Sequence, residues 1–473
     1  MSTFSALNTA TTALWTQRRG LDVTGQNIAN VNTPGYTRQR AELQSMGGNT
    51  VPAFHSVSSN VGGGVSAESV IRIRDAFLEG RAQVEQGRTS QLTAESNALT
   101  QVEQAFREPG ETGIQSMLTD MWKGWSDVAN HPDDLAARGQ LLQRTQTLVI
   151  GLNTTSAALD EQAEQTRDNL QTLVSDVNAS AASIAELNQA IKRATQSGLP
   201  ANELSDKRDA LVLTLAAQIG ATSTPGADGV VNVSIGGTTV VSGTSSLELA
   251  LAPPAGAPGA TRIVTTPGAT TLAVGGSAAG SLTALTGTIP TYRAKLDAVA
   301  QQLVGTLNTE HAKGYALDGR PGGPLFDAGT GSGAAAVDPS TVTAANIRLR
   351  ITQPRDVAAA DLPPDASGPS LDNDRADAIH QLRLGAGSVD SAYRAVVVDL
   401  GVSSAVATRN LGIQGVISSQ VDASRESVSG VNLDEEMTNM LSFQHAYSAA
   451  ARMVTAIDEA LDVLINKTGL VGR

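Results

Sequence analysis

The stretch from Leu135 to Gln196 most restricts what this chain can become. Leu152, Leu159, Thr166, Leu170, Leu173, Val177, Ser180, Ile184, Leu187, Ile191 and Ala194 recur along it on a near-heptad seam, the signature of one long helix whose apolar stripe faces a partner. At 1.5 Å per residue such a helix spans roughly 90 Å. That predicts an elongated, multi-domain protein built around a long-helix bundle. At about 150 residues per domain the length also implies several domains, since the chain has 473 residues. Aromatic residues make up only 3%, so the cores must be packed with Leu, Val, Ile and Ala.

Other helices flank this one. Phe4, Leu7, Thr11, Leu14, Arg18, Leu21, Gly25 and Ile28 alternate in steps of three and four, predicting an N-terminal amphipathic helix. It should stop at Asn32-Thr33-Pro34-Gly35, because Pro34 disfavours helical geometry at Thr33 and Pro-Gly fits a type II turn. From Tyr36 to Ile73 the chain is Gly- and Ser-rich, with extended patterns such as Val70 to Ile73. Helical periodicity returns at Phe77 and runs to Phe106 before Pro109-Gly110, and Asn202 to Gly220 reads as a further helix. Helix returns at Tyr292, Leu296, Val299, Leu303 and Leu307, and again from about Asp374; an alternating strand is expected at Ile347, Leu349 and Ile351.

The last helix carries Met437, Met440, Leu441, Gln444, Tyr447, Ala451, Val454, Ile457, Leu461 and Leu464 on its seam. Asn432 and Glu435 suggest a capping box, and Asp434, Glu435 and Glu436 face the positive end of the helix dipole. The two termini are complementary in charge. Arg18, Arg19, Arg38 and Arg40 outnumber Asp22 and Glu42 in residues 1–45, whereas acids outnumber bases in 431–473. Each stripe alone would leave apolar surface in water, so a terminal coiled coil of 1–45 with 431–473 is expected, one that also packs against copies of itself. Two core helices of an ordinary bundle would give the same pattern.

Residues 221–285 differ in kind, with only Asp228, Glu248 and Arg262 charged. Val230 to Ile235, Gly236-Gly237 and Thr238 to Val241 read as a β-hairpin. The expected organisation is therefore mainly α with a β-rich insertion: a terminal domain of 1–45 and 431–473, a discontinuous long-helix domain of 46–220 and 286–430 with a loop and strand segment near 325–370, and a small outward β domain of 221–285.

Composition removes several function classes. A net charge of −13 repels phosphate backbones and anionic membranes, and no stretch offers 18 apolar residues for a bilayer, so neither nucleic acid nor membrane insertion is expected. The chain has no cysteine, which excludes thiolate metal sites, disulfides and Cys nucleophiles. Met1 to Gln17 hold no apolar run of the secretory type, so no cleavable signal is expected. The histidines at 55, 131, 311, 380 and 445 form no i, i+4 pair, and His311 and His445 read as polar residues at helix edges. Gly329, Gly331 and Gly333 lack the strand-to-helix setting of a dinucleotide site. Asp372, Asp374 and Asp377 fail the calcium-loop pattern at Asp377 and Arg383 and read as a capped helix start. No catalytic, cofactor or metal site is expected.

Two terminal segments carry a resemblance. Asn27-Ile-Ala-Asn-Val-Asn-Thr-Pro-Gly-Tyr36 resembles the signature that closes the first helix of bacterial flagellar axial proteins, the family of rod, hook and hook-associated proteins. Ser429-Gly-Val-Asn-Leu-Asp-Glu-Glu-Met437, Phe443-Gln444, Ala446-Tyr447 and Thr455-Ala-Ile-Asp-Glu459 are similar to that family's closing helix. The interior resembles its hook-associated branch at Gly62 to Val65, Ile73-Arg74-Asp75 and Phe77-Leu78, Pro132 with Arg138, Arg208-Asp209, Asn308 with His311 and Gly314, and Asp372-Asn373. His445 and Ala450 depart from the family's Gln and Asn, which puts individual interface hydrogen bonds in doubt.

The resemblance implies a structural, non-enzymatic component of the extracellular flagellum at the junction of hook and filament, exported by the type III apparatus and self-assembling into a ring. Its implied partners are copies of itself, the hook protein, a second hook-filament junction protein, an export chaperone and the export apparatus. The implied assembly interface is Phe4, Leu7, Leu14, Leu21, Ile28, Met437, Leu441, Tyr447, Val454, Leu461 and Leu464, with Asn30, Asn32, Thr33, Pro34, Gly35 and Tyr36 as the family turn. Alternatives are the hook protein itself, which shares the terminal segments, and a secreted axial protein whose β insertion adds an adhesive or enzymatic role.

Overall fold

The computed structural model describes residues 3–47, 62–252, 261–329, 337–364, 371–385 and 387–467; His55, Gly331 and Gly333 lie outside them. Helix α1 (Thr3–Ala29) leads into strands β1 (Gln39–Met46) and β2 (Gly64–Arg72), then helices α2 (Ala76–Phe106), α3 (Ile114–Asn130), α4 (Leu135–Gln196) and α5 (Asn202–Ile219). Short strands follow: β3 (Thr222–Pro225), β4 (Val231–Ile235), β5 (Thr238–Ser242), β6 (Ser245–Ser246), β7 (Glu248–Ala252) and β8 (Arg262–Thr266). The remainder is helical again, with α6 (Gly276–Thr283), α7 (Ile289–His311), α8 (Asp374–Gln381), α9 (Val389–Ser429) and α10 (Leu433–Asp462), interrupted by the two-residue strands β9 (Phe326–Asp327) and β10 (Arg348–Leu349). The fold is mainly α with a β-rich insertion, and that insertion is shorter than 221–285, because α6 already begins at Gly276.

Two compact units emerge. The first comprises Met1–Gly87, Val177–Glu248 and Gly415–Arg473, the second Arg88–Asp176 and Leu249–Gln414. The division cuts α2, α4 and α9 and distributes both halves of the expected long-helix domain over the two units.

In the first unit the C-terminal part of α4 buries Val177, Ala181, Ile184, Asn188 and Ile191, a strict alternation of four and three. The sequence seam shifts by one position here: Ser180 and Leu187 are only half-buried. The reason is the covering sheet, antiparallel in the order β3-β4-β5-β6. Asn188 accepts from the Val231 amide at 3.1 Å and donates to the carbonyls of Val231 at 2.8 Å and Gly243 at 2.6 Å, so a polar side chain occupies a seam position to satisfy strand β4. Gly236 and Gly237, at φ 53° and 85°, supply the two left-handed residues of a tight hairpin turn between β4 and β5. The hairpin is therefore fastened to helix rather than free-standing.

The second unit is organised around α3, a helix whose pattern of Ile114, Leu118, Met121, Trp122, Trp125 and Val128 went unread in the sequence. These residues join Leu141 and Leu148 of α4, Leu296 and Leu303 of α7, and Tyr393 of α9 in one buried cluster. Ile347 and Ile351 belong to the same cluster. The expected strand there shrinks to Arg348–Leu349, paired antiparallel with Phe326–Asp327, because the isoleucines serve helix packing and only two residues reach a partner strand.

Polar side chains tie the loops of this unit to its helices. Arg138, 1% exposed, donates to the carbonyls of Pro132 and Val357; burial draws its guanidinium down to about 10 against the pull of Asp133. Asn308 accepts from the amides of Leu325 and Phe326 and donates to the Phe326 carbonyl. The Asp372 carboxylate accepts from the amides of Asp361, Leu362 and Asp374, the capped start expected for α8. His311 is no edge residue: it is fully buried, its Nδ1 donating to the Gly323 carbonyl at 2.6 Å and its Nε2 accepting from the Ala358 amide at 2.8 Å.

Both ring nitrogens of His311 are committed to the neutral form, and burial pushes its pKa down to about 4. Between pH 6.5 and 4 the unfolded chain thus binds one more proton than the folded one, and stability falls with acidification by up to about 3 kcal/mol. Thermal melts of the wild type should drop across this window, and His311→Gln should melt lower at pH 7 with a shallower acid dependence.

Candidate assembly interface

Helices α1 and α10 run antiparallel against one another. Gly20 lies against Phe443, where an added Cβ would meet the ring at 2.7 Å, and Asn27 bonds Glu436. The contact face of α1 is small and polar: Ala10, Val23, Thr24 and Asn27 are buried with Gly20, while Thr16 turns to the Val65 carbonyl of β2. That allows close helix approach, and it places the expected seam of Leu7, Leu14, Leu21 and Ile28 on the half-buried shoulder. Phe4 is exposed at 70%. On α10 the inner face is Glu436, Met440, Phe443, Ala446, Ala450, Val454, Ile457 and Leu461, all buried or half-buried.

This divides the C-terminal seam between two faces. Met437, Leu441, Tyr447 and Leu464 are exposed, Met437 by 58% and Leu441 by 55%, because the helix turns Phe443 and Glu436 inward and so rotates these four away. They form apolar surface that the single chain leaves in water. Ala450 faces α1 and His445 faces solvent, so of the two departures only Ala450 touches the pair.

Glu436 is the polar centre of the pair. It is 2% exposed and accepts from Asn27 Nδ2 at 3.0 Å and Arg38 Nε at 2.7 Å. Asn27 Oδ1 in turn accepts from the Tyr36 hydroxyl at 2.8 Å and the Gln39 amide at 2.9 Å. The capping box is half formed: Asn432 accepts from the amides of Asp434 and Glu435, whereas the Glu435 carboxylate turns to Arg38 Nη1 at 2.7 Å.

The family turn closes as expected. Asn30 bonds the Thr33 hydroxyl at 3.1 Å, the Tyr36 amide donates to the Thr33 carbonyl at 3.2 Å, and Gly35 sits at φ 79°. Asn32, Thr33, Pro34 and Gly35 remain exposed, while Tyr36 points inward. Burial, with Asp206, Glu436 and Glu203 nearby, pushes the Tyr36 phenol up to about 12.

A second polar chain fastens the hairpin beneath. Thr37 donates to Asp206 through its amide and hydroxyl; Arg72 bridges Asp206 and Asp209 at 2.8 and 2.7 Å. Arg74 joins Asp209 to Glu79, and Arg425 of α9 completes the chain on Glu79 at 2.9 Å. Burial pushes the Asp209 carboxyl up, but Arg208, Arg74 and Arg72 overcome it and hold it below the usual range. Gly64, at φ 105°, leaves no room for a Cβ beside Thr12 Oγ1, so the Gly62 to Val65 motif is fixed by close approach of β2 to α1. Among the described residues no group of three His, Asp or Glu side chains could hold a metal ion.

Comparison with known proteins fits this arrangement. Residues 99–326 match the family described as flagellar hook-associated protein FlgK helical domain, residues 7–37 the flagella basal body rod protein family and residues 423–467 the flagellar basal body rod FlgEFG protein C-terminal family. Over 519 aligned residues, covering 100% of both chains, the sequence is 30% identical to flagellar hook-associated protein 1 of Bacillus subtilis. The chain belongs to the flagellar hook-associated protein 1 family. Flagellar hook-associated protein 1 of Escherichia coli is 25% identical over 98% of this chain and 99% of its own length. The flagellar hook junction protein FlgK from Burkholderia pseudomallei, 17% identical, shares the fold with a TM-score of 0.64, over 74% of this chain and all of that one.

In this chain Asn27, Arg208-Asp209, Pro132 with Arg138, and Asn308 with His311 each satisfy loop backbone or bury an ion pair, and Tyr36 holds the Asn27 side chain in place. The helical-domain match decides against the hook protein. Sequence reasoning missed the central roles of Glu436 and Asp206 and the specific partners of Arg38; the visible signal was three acids in the first turn of α10, which were assigned to the helix dipole and, for Glu435, to a capping box. One stretch within Asp374–Asn466 reaches a mean hydropathy of 1.2 over eighteen residues with 11% of them buried, as an unpartnered apolar face also does.

Replacing Glu436 by Ala leaves Asn27 and Arg38 without their carboxylate and should cost about 2–4 kcal/mol, read as loss of the α1–α10 helices from protease protection before the second unit melts. Gly20→Leu should act in the same direction through steric clash with Phe443.

Proposed function

We propose that this chain is a structural subunit of the hook-filament junction, exported through the flagellar type III apparatus and self-assembling through its terminal helices. The observation that carries the reading is the division of labour on α10. One face is satisfied internally by α1, and the other presents Leu433, Met437 and Leu441 to water, one turn apart along the helix. Isolated exposed side chains need no explanation, but an aligned apolar stripe on a helix calls for a partner. Family membership supplies the setting, a flagellar component that assembles with other flagellar components. The finer partners follow from the same reading: copies of itself, the hook protein on one side, a second junction protein on the other, and an export chaperone that covers the stripes beforehand. The chain acts by packing and not by catalysis, in keeping with polar clusters that are consumed by caps and ion pairs.

Met437→Glu with Leu441→Glu tests this directly. Both positions are solvent-facing in the single chain, so the melt of the purified protein should shift little, within about 0.5 kcal/mol for each change. Cells carrying the double variant as their only copy should lose filaments and motility while hooks persist. Normal filaments would remove the stripe from the interface, and antibody label away from the hook-filament boundary would remove the junction assignment.

A further inference from the structure

Two surfaces of the first unit combine exposed apolar side chains with charge of one sign. The first is the end of α10. The pairing of Gly20 with Phe443 and of Asn27 with Glu436 sets a register in which the described start of α1, Thr3, lies opposite residue 460. The helical turns beyond have no α1 residue beside them among those described, and Val463, Leu464 and Ile465 are exposed by 46, 53 and 73%. Just before them stand Asp458 and Glu459, exposed and without a basic partner among the described ion pairs. Residues 458, 462 and 465 share one face of the helix, so acid and apolar side chains point the same way.

The second feature is a groove of about 290 Å³ between α1 and the β1–β2 hairpin, lined by Thr12, Trp15, Arg19, Met46, Val65 and Ser66 among others. Trp15 is 70% exposed. Arg19 lines the groove with it, and Arg18 stands three residues on from Trp15 along α1; both are exposed and have no acidic partner among the described ion pairs. A protein of net charge −13 thus concentrates unpaired arginines and an exposed tryptophan at one groove, and unpaired acids with exposed aliphatics at one helix end.

We propose that these two surfaces bind each other between copies: the C-terminal turns of α10 from one subunit seat Leu464 and Ile465 in the α1–hairpin groove of a second copy, with Asp458 and Glu459 against Arg18 and Arg19. The inference rests on self-assembly through the terminal helices and adds which surfaces meet. The fit is one of charge and of apolar type: opposite charges flank a hydrophobic contact on both sides, and two helical turns, about 10 Å, separate the acids from Ile465. Because the two surfaces differ, the contact is heterologous and propagates around a ring or along a helix instead of closing a dimer. An isologous pairing of α10 ends would bring like charges together.

The absence of native cysteine makes the test clean. Full-length Ser66→Cys and Leu464→Cys chains are co-expressed in a strain lacking its own copy, and isolated flagella are treated with a short bismaleimide cross-linker. A cross-linked pair from the mixture, and none from either variant alone, is the expected result. A pair from Leu464→Cys alone, or none from the mixture in flagella that contain both chains, overturns the proposal. As a second arm, Arg18→Glu with Arg19→Glu should abolish filaments, and adding Asp458→Lys with Glu459→Lys in the same chain should restore them; failure of that rescue with unchanged thermal melts also overturns it. Junction labelling in the same preparations separates the outcomes: label at the junction without the cross-link defeats only this contact, whereas label elsewhere defeats the assembly reading beneath it.

Discussion

One buried carboxylate holds the two ends of this chain together. Glu436 sits in the first turn of the last helix and receives Asn27 from the end of the first helix and Arg38 from the segment just before β1. An ionised group so far from water is tolerable only with its hydrogen bonds met, and here both oxygens are engaged. Residues 409 positions apart are thereby fixed in register, and everything around them depends on it: the turn that returns the chain after α1, the seating of β1, and the rotation of α10 that directs Phe443 inward and Met437 outward.

The same logic recurs through both units. Asn188, Asn308, His311, Arg138 and the Asp206–Arg72–Asp209 chain each satisfy loop or strand backbone from a buried or half-buried helix position or its flank. A chain so poor in aromatics cannot rely on large side chains to pin its connections, and buried polar groups, which tolerate few alternative partners, define them instead. The cost is sensitivity: each such residue leaves an unpaired group behind when truncated. The benefit for an assembling protein is that the apolar surface of α10 is left free, because pairing with α1 is secured by small residues and hydrogen bonds.

Much of the fold was legible. Leu135 and Gln196 bound α4 as its periodicity indicates, the Pro34-Gly35 turn follows from backbone sterics, and the β4–β5 hairpin follows from Gly236-Gly237. The α3 helix was equally legible from Ile114, Leu118, Met121 and Trp125, but it is short and lies between stronger signals. The strand around Ile347 misled because alternation over five residues does not say what the buried side chains will meet. Of the C-terminal seam, Val454 and Leu461 turn toward α1, whereas Met437, Leu441, Tyr447 and Leu464 turn to solvent.

The sequence by itself determined the helices, their ends, the family turn and the presence of apolar stripes at both termini, since these depend on backbone preferences and periodicity within a few residues. Tertiary structure alone decided which face of each stripe turns inward. A helix pattern fixes a stripe to within a turn's width, but the choice between neighbouring faces is made by a contact far away in the chain, here Glu436 with Asn27 and Gly20 with Phe443. The energy of those contacts depends on burial, which no local pattern reports.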